Sequence, residues 1–233
     1  LLLTPKLDSG DKNFDKTDLK YETFFSTAYG WSTRSSPLHI AVDGGEERLV
    51  RMLLEAGADI TARDSNKDTV ATSVVREWTV NGHRDSMLHM LELLQRYKLP
   101  EDNTKSILDV PNEYGENVLM IAAGSKDPRV LDKMIDRLKL GRMAQEVDVS
   151  GHNVLFYLIG DMSNKEEHHS TPEQVEKCLV LLLDAGAEVT PEIIELAKSE
   201  SWDAGVRRLE EAHRNRAVSE PDEESEEEYD PFS

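Results

Sequence analysis

Side chains able to do chemistry are scattered along this sequence rather than gathered. Seven histidines, one cysteine and 46 acidic residues are spread over 233 positions, whereas a catalytic centre needs convergent groups with tuned protonation. Glu166-Glu167-His168-His169 supplies metal-ligand types, but no second cluster at a fixed spacing completes a coordination set, so neither a metal nor a cofactor is expected. Cys178 stands beside Leu179 and Leu182 on what reads as the apolar face of a helix, where it is expected to be a small buried residue and not a nucleophile. His152 follows Gly151 and reads as a turn or contact residue. No glycine pattern follows a strand to cradle phosphate, and Asp43-Gly44-Gly45 reads as a turn between two helices. Acidic pairs along the helices read as solvated faces. No catalysis is expected, so the elements must be read for a binding role.

The hydrophobic fraction of 38% is low for a compact globule and the charged fraction of 31% is high. That balance suits an elongated chain in which repeated units share one continuous core. Net charge is −19. Residues 217–233 hold eight of the acids and no Lys or Arg, so the remainder still stands at −11, which is −19 less those eight. Such a surface repels phosphate backbones and anionic headgroups, so nucleic acid and membrane are set aside as partners. A single cysteine permits no internal disulfide and points to a reducing, intracellular compartment, cytoplasmic or nuclear. The longest apolar runs, such as Cys178–Leu183, are too short to span a bilayer. Thr4, Pro5 and Lys6 cut off the opening leucines before a signal region could form, and the absence of an initial Met suggests a piece of a longer chain.

A repeat organises the rest. Leu53-Leu54-Glu55-Ala56-Gly57-Ala58-Asp59-Ile60-Thr61 returns as Leu182-Leu183-Asp184-Ala185-Gly186-Ala187-Glu188-Val189-Thr190. Before the first copy, Ser36 is a ready N-cap and Pro37 suits a first helical turn. Leu38, Ala41 and Val42 form a short apolar stripe, and Leu49, Val50, Leu53 and Leu54 recur at helical spacing until Gly57 supplies a left-handed stop. With Ser36-Pro37-Leu38-His39-Ile40-Ala41 in front, this unit resembles the ankyrin repeat, whose consensus reads T-P-L-H-x-A and later L-L-x-x-G-A-D. Ala71 follows Leu38 by 33 residues, the ankyrin period. Further units start near Asp68, at Asn112-Glu113-Tyr114-Gly115 and at Asp148-Val149-Ser150-Gly151, with outer helices expected over Met87–Tyr97, Pro128–Leu140 and Pro172–Ala185. Insertions are expected near Trp78–Ser86, Lys98–Val110 and Ser163–Ser170. Pro191–Ala197 and Ala204–Arg216 read as a closing pair of helices.

The expected fold is all-α: an ankyrin-repeat solenoid of about four degenerate repeats and a C-terminal capping unit over residues 34–216. Residues 1–17 read as disordered. Residues 18–33 read as an N-terminal capping helix, because Tyr21, Phe24, Phe25 and Ala28 share one helical face. The acidic tail 217–233 reads as disordered, with Ser219 and Ser225 three residues before an acid and so candidates for phosphorylation.

The resemblance assigns His39 to hydrogen bonds that brace neighbouring turns, and partner contacts to the turn tips and inner helices. Carried over, the tip positions are Asn66, Lys67, Glu113, Tyr114 and His152. The inner-helix positions are Asp43, Arg76, Tyr157 and Asp161, with Trp78 just beyond. The implied function is a monomeric, non-catalytic adaptor that binds another protein on its concave face. Two alternatives stand beside it. One is an inhibitor that sequesters a basic partner: repeats followed by a tail rich in Glu, Pro and Ser resemble inhibitors of Rel-type transcription factors. Asp8-Ser9-Gly10 resembles the start of their degradation motif, but its second serine is missing, with Lys12 and Asn13 standing there instead. The other is the regulatory arm of a larger enzyme or channel.

Overall fold

The short apolar stripes of the sequence become pairs of helices in the computed structural model, which describes residues 23–26, 32–81, 84–99, 101–160 and 170–219. The first pair is α1 (Pro37–Asp43) and α2 (Glu47–Glu55), the second α3 (Val70–Asn81) and α4 (Arg84–Gln95), and the third α5 (Val118–Gly124) and α6 (Pro128–Asp136). A fourth pair, α7 (Val154–Ile159) and α8 (Pro172–Asp184), precedes the closing pair α9 (Pro191–Ser199) and α10 (Asp203–Ser219). The odd-numbered helices pack on one another in chain order as an inner row, and α4, α6, α8 and α10 do so as an outer row. Their facing sides form one continuous apolar seam, with Leu38, Val74, Leu91, Leu119, Leu131, Leu155, Leu179 and Leu209 all fully or almost fully buried. Each pair buries only one side of itself, so neighbours complete its core.

The expected all-α stack is therefore present, with local corrections. Where residues 18–33 were expected to make a capping helix, Thr23–Ser26 (β1) pairs antiparallel with Ser32–Ser35 (β2), in register from Thr23 opposite Ser35 to Ser26 opposite Ser32. Thr23, Phe24, Phe25 and Thr33 favour an extended backbone, and Gly30, between the strands in sequence, is a poor residue for a helix interior. Helix α4 begins at Arg84 and ends at Gln95, α6 stops at Asp136, and α10 runs on to Ser219, so Ala217–Ser219 belong to a helix and not to the tail. Arg214, Arg216 and Ala217 are good helix formers, and Arg216 complements the negative end of the helix dipole. Leu49 is 43% exposed although its spacing placed it in the core; α2 turns Val50 and Leu54 inward instead. Of the expected insertions, Lys98–Val110 folds over a short 3-10 turn, Ile107–Asp109. Trp78–Asn81 and Arg84–Ser86 simply lengthen α3 and α4. Residues 1–17, Asp161, most of 163–170 and the tail from Glu220 lie outside the described residues.

Candidate functional site

Three five-residue turns project from one edge of the inner row, and all three are built the same way. Each starts with Asp or Asn, whose side-chain oxygen accepts the amides two and four residues on. Asp64 Oδ1 takes Asn66 N and Asp68 N at 2.8 and 2.9 Å. Asn112 Oδ1 takes Tyr114 N and Glu116 N at 3.0 and 2.9 Å, and Asp148 Oδ1 takes Ser150 N and His152 N, both at 2.8 Å. The fourth residue is left-handed: Lys67 (φ 67°), Gly115 (φ 80°) and Gly151 (φ 84°). Gly115 also has to be small, because a Cβ there would lie 2.8 Å from the Val149 amide nitrogen. That closeness lets the fingers bond to one another. Glu113 N donates to Lys67 O, and Val149 N donates to Tyr114 O, both at 3.0 Å.

Beneath the tips, each unit is tied to the next by the residue capping its inner helix or, in the first unit, by a histidine bonded to that cap. In the first unit the Ser36 hydroxyl accepts from His39 N at 3.3 Å and meets His39 Nδ1 at 2.7 Å, while His39 Nε2 donates to the Asp68 carbonyl at 3.3 Å. In the second, Thr69 Oγ1 donates to the Val110 carbonyl at 3.3 Å. In the third and fourth, one amide does both jobs. Asn117 Oδ1 caps α5 by accepting Leu119 N and Met120 N, and its Nδ2 donates to the Met143 carbonyl (3.1 Å) and Glu146 Oε2 (2.8 Å). Asn153 caps α7 at Leu155 N and donates to the Glu188 carbonyl at 2.7 Å.

Burial holds the His39 imidazole below its ordinary pKa, against the attraction of Asp64 and Asp68. The unfolded chain therefore binds the extra proton, and stability falls as pH drops through about 6.5 toward the lower folded value. Asp43 works in the opposite sense: desolvation, helped by Glu77 and Asp64, pushes its carboxyl up to about 6, so acidification through that range favours the folded state. Expected in urea titrations is a stability advantage of the natural chain over His39→Gln that shrinks between pH 7.5 and 5. A constant gap would show that a buried neutral imidazole is not its source.

The comparisons agree with this geometry. A family model described as ankyrin repeat matches residues 34–65. Among solved structures, the crystal structure of an ankyrin repeat domain from Acinetobacter baumannii AYE is 20% identical, covers 87% of this chain and 90% of its own, and superposes with a TM-score of 0.51. The chain has the ankyrin-repeat fold. No curated protein matches.

On this ankyrin stack the residues carried over from the resemblance fall into two groups. Asn66, Lys67, Glu113 and Tyr114 sit exposed at the fingertips as expected, with Lys67 Nζ 3.0 Å from Glu113 Oε2 and Tyr114 52% exposed. Asp43, at the end of α1, keeps much of its surface in solvent, but its carboxyl is crowded on the side of Glu77 and Asp64 and accepts from Ser73 Oγ at 3.2 Å. Three others are committed inward. Arg76 Nε and Nη2 donate to buried Asp68 at 2.7 and 3.2 Å, and Nη2 also reaches Glu116 Oε2 at 2.7 Å, so its charge joins the second unit to the third. The Tyr157 hydroxyl donates to Asp148 Oδ2 at 2.6 Å, and burial together with that bond raises its pKa far above the usual phenol. His152 is half-buried and stacks on Phe156 with centroids 3.7 Å apart. Trp78 lies in α3 and Ser219 ends α10, but their side chains, like Asp161 and Ser225, are outside the described residues. Missed in the sequence were Val147 and Val149, 57% and 74% exposed at the start of the last finger, and the acids Glu188 and Glu192, which line the same groove as Val147.

Proposed function

We propose that the chain is a non-catalytic adaptor that holds a partner protein against the flank made by its fingers and inner helices. The tip-to-tip amide bonds carry this reading. They fix Tyr114 and Val149 in solvent on a stiff frame, with Val147 bridged to Asn153 at the foot of the same turn, and a surface that is already ordered loses less entropy when a partner docks. Exposed apolar side chains grouped on one flank suit such contacts. The reactive types have other duties: His39 is buried with both ring nitrogens engaged, and burial pushes the Cys178 thiol up to about 12, far from a thiolate. Buried, unpaired Cys178 also fits a reducing intracellular compartment. No helix of the described residues is long and apolar enough to cross a membrane. The reading includes a chain monomeric by itself.

Affinity capture from cell extract followed by titration of the isolated partner tests the assignment. Tyr114→Ala/Val149→Ser is expected to weaken the partner by at least about tenfold, the cost of one or two interface anchors. Asp132→Lys on the outer helix α6 is expected to leave it unchanged. A partner that survives the fingertip changes and is lost with Asp132→Lys would place binding on the other side of the stack and end this reading.

A further inference from the structure

Along the concave flank, one stretch combines shape, apolar lining and charge of a single sign. Between the last finger, Asp148–His152, and α9 lies a groove of about 610 Å³. Val147, Phe156, Ile193 and Leu196 form its apolar lining, and the His152 ring lies flat on Phe156, 8° from parallel. Val149, two residues on from Val147, and Tyr114, whose carbonyl accepts the Val149 amide at 3.0 Å, are exposed on the adjoining tips, so three of the five large exposed hydrophobic side chains of the described residues stand on neighbouring turns. Grouping of that kind marks a surface that is covered in use.

The rim is acidic. Glu188, Glu192 and Glu195 line the groove, and among its described lining residues none is Lys or Arg. The Thr190 hydroxyl holds the Glu192 carboxyl below its ordinary range, which keeps it ionised. Glu195 meets Lys198 at 2.8 Å, but both side chains are largely in water, where such a pair is weak and readily exchanged for another cation. The chain's own tail cannot be the occupant: residues 220–233 carry eight acids and no base, so groove and tail repel.

We propose that this groove takes a peptide segment of a partner protein in which a bulky apolar side chain is flanked by Lys or Arg. The proposal rests on the adaptor reading and adds the chemistry of what is held. The apolar side chain enters between Val147, Phe156 and Leu196, and the flanking cations meet Glu188 and Glu192.

Fluorescence anisotropy with the full chain tests it. The probes are short labelled peptides with a central Leu or Phe among Lys and Arg, a version with central Ser, and a version with Glu for every base. Only the basic, apolar-centred peptides are expected to bind. Glu188→Lys/Glu192→Lys is expected to weaken them at least about tenfold, as loss of complementary charge does. Val147→Asp is expected to weaken them as well, while Asp132→Lys on α6 and removal of residues 220–233 leave binding intact or tighter. Failure of the basic, apolar-centred peptides to bind overturns the proposal, as does equal binding of the Ser-centred or Glu versions, equal loss with Asp132→Lys, or binding that disappears with the tail. A captured partner that tolerates the two glutamate changes but is lost with Tyr114→Ala/Val149→Ser overturns the groove assignment alone and leaves the adaptor reading standing.

Discussion

Asn117→Asp is expected to destabilise the fold by about 3 kcal/mol, although aspartate caps an isolated helix as well as asparagine does. The new carboxylate keeps the acceptor for Leu119 N and Met120 N. It loses the donor to the Met143 carbonyl and Glu146 and sets a buried negative charge against both. Urea unfolding followed by circular dichroism reads the loss directly, with Asn117→Ala alongside. Should Asn117→Asp unfold at the natural midpoint, the tie between the third and fourth units contributes nothing and the residue is merely a cap.

That residue shows how far the sequence could be read. The first unit was legible because Ser36-Pro37-Leu38-His39 spreads capping and bridging over two side chains with a familiar spacing. In later units the loss of Leu-His looks like decay. The structure shows the bridge relocated: one amide at the capping position supplies both acceptor and donor. The signal was present in Gly115-Glu116-Asn117-Val118-Leu119 and Gly151-His152-Asn153-Val154-Leu155, where the same Asn-Val-Leu follows each finger glycine at the same distance. Helix positions could be derived from local periodicity, because each stripe is set by residues three and four apart. The direction of Arg76 and Tyr157 could not. Their anchors are Asp68, Glu116 and Asp148, eight, forty and nine residues away, and spacing along one helix carries no information about them. Val147 and Val149 were passed over for the same reason: apolar residues beside a turn look like core until a missing neighbour leaves them in water.

Arg76→Ala is expected to cost about 3 kcal/mol or more, because it strands a carboxylate in the interior. Asp68 has a side-chain exposure of 1%, and Arg76 is the cation that offsets it. Asn112 Nδ2 also donates to both Asp68 Oδ1 and Glu116 Oε2, at 3.0 and 2.7 Å, but one neutral amide does not balance two carboxylates. Asp68→Asn in the same chain is expected to recover a large part of the loss, since the buried charge is then gone. The sum of the single changes therefore exceeds the double change, the mark of directly coupled residues. Arg76→Lys retains the charge and forfeits the forked contact, so it falls in between. Strict additivity of Arg76→Ala and Asp68→Asn would show that the two are not energetically linked. Because Arg76 is also 43% exposed at its side chain, partner affinity of these variants has to be read only where they remain folded.

The cross-unit ties differ in kind along the rod, and this gives it a direction. Its first joint is keyed by an imidazole that burial keeps neutral, so its contribution to stability declines as acid protonates the unfolded chain. The third and fourth joints are keyed by carboxamides, which do not ionise. Mild acid therefore weakens the His39 key, against the opposing effect of Asp43 on the same unit, while the carboxamide keys do not titrate, and a partner seated at the trailing end meets only the latter kind.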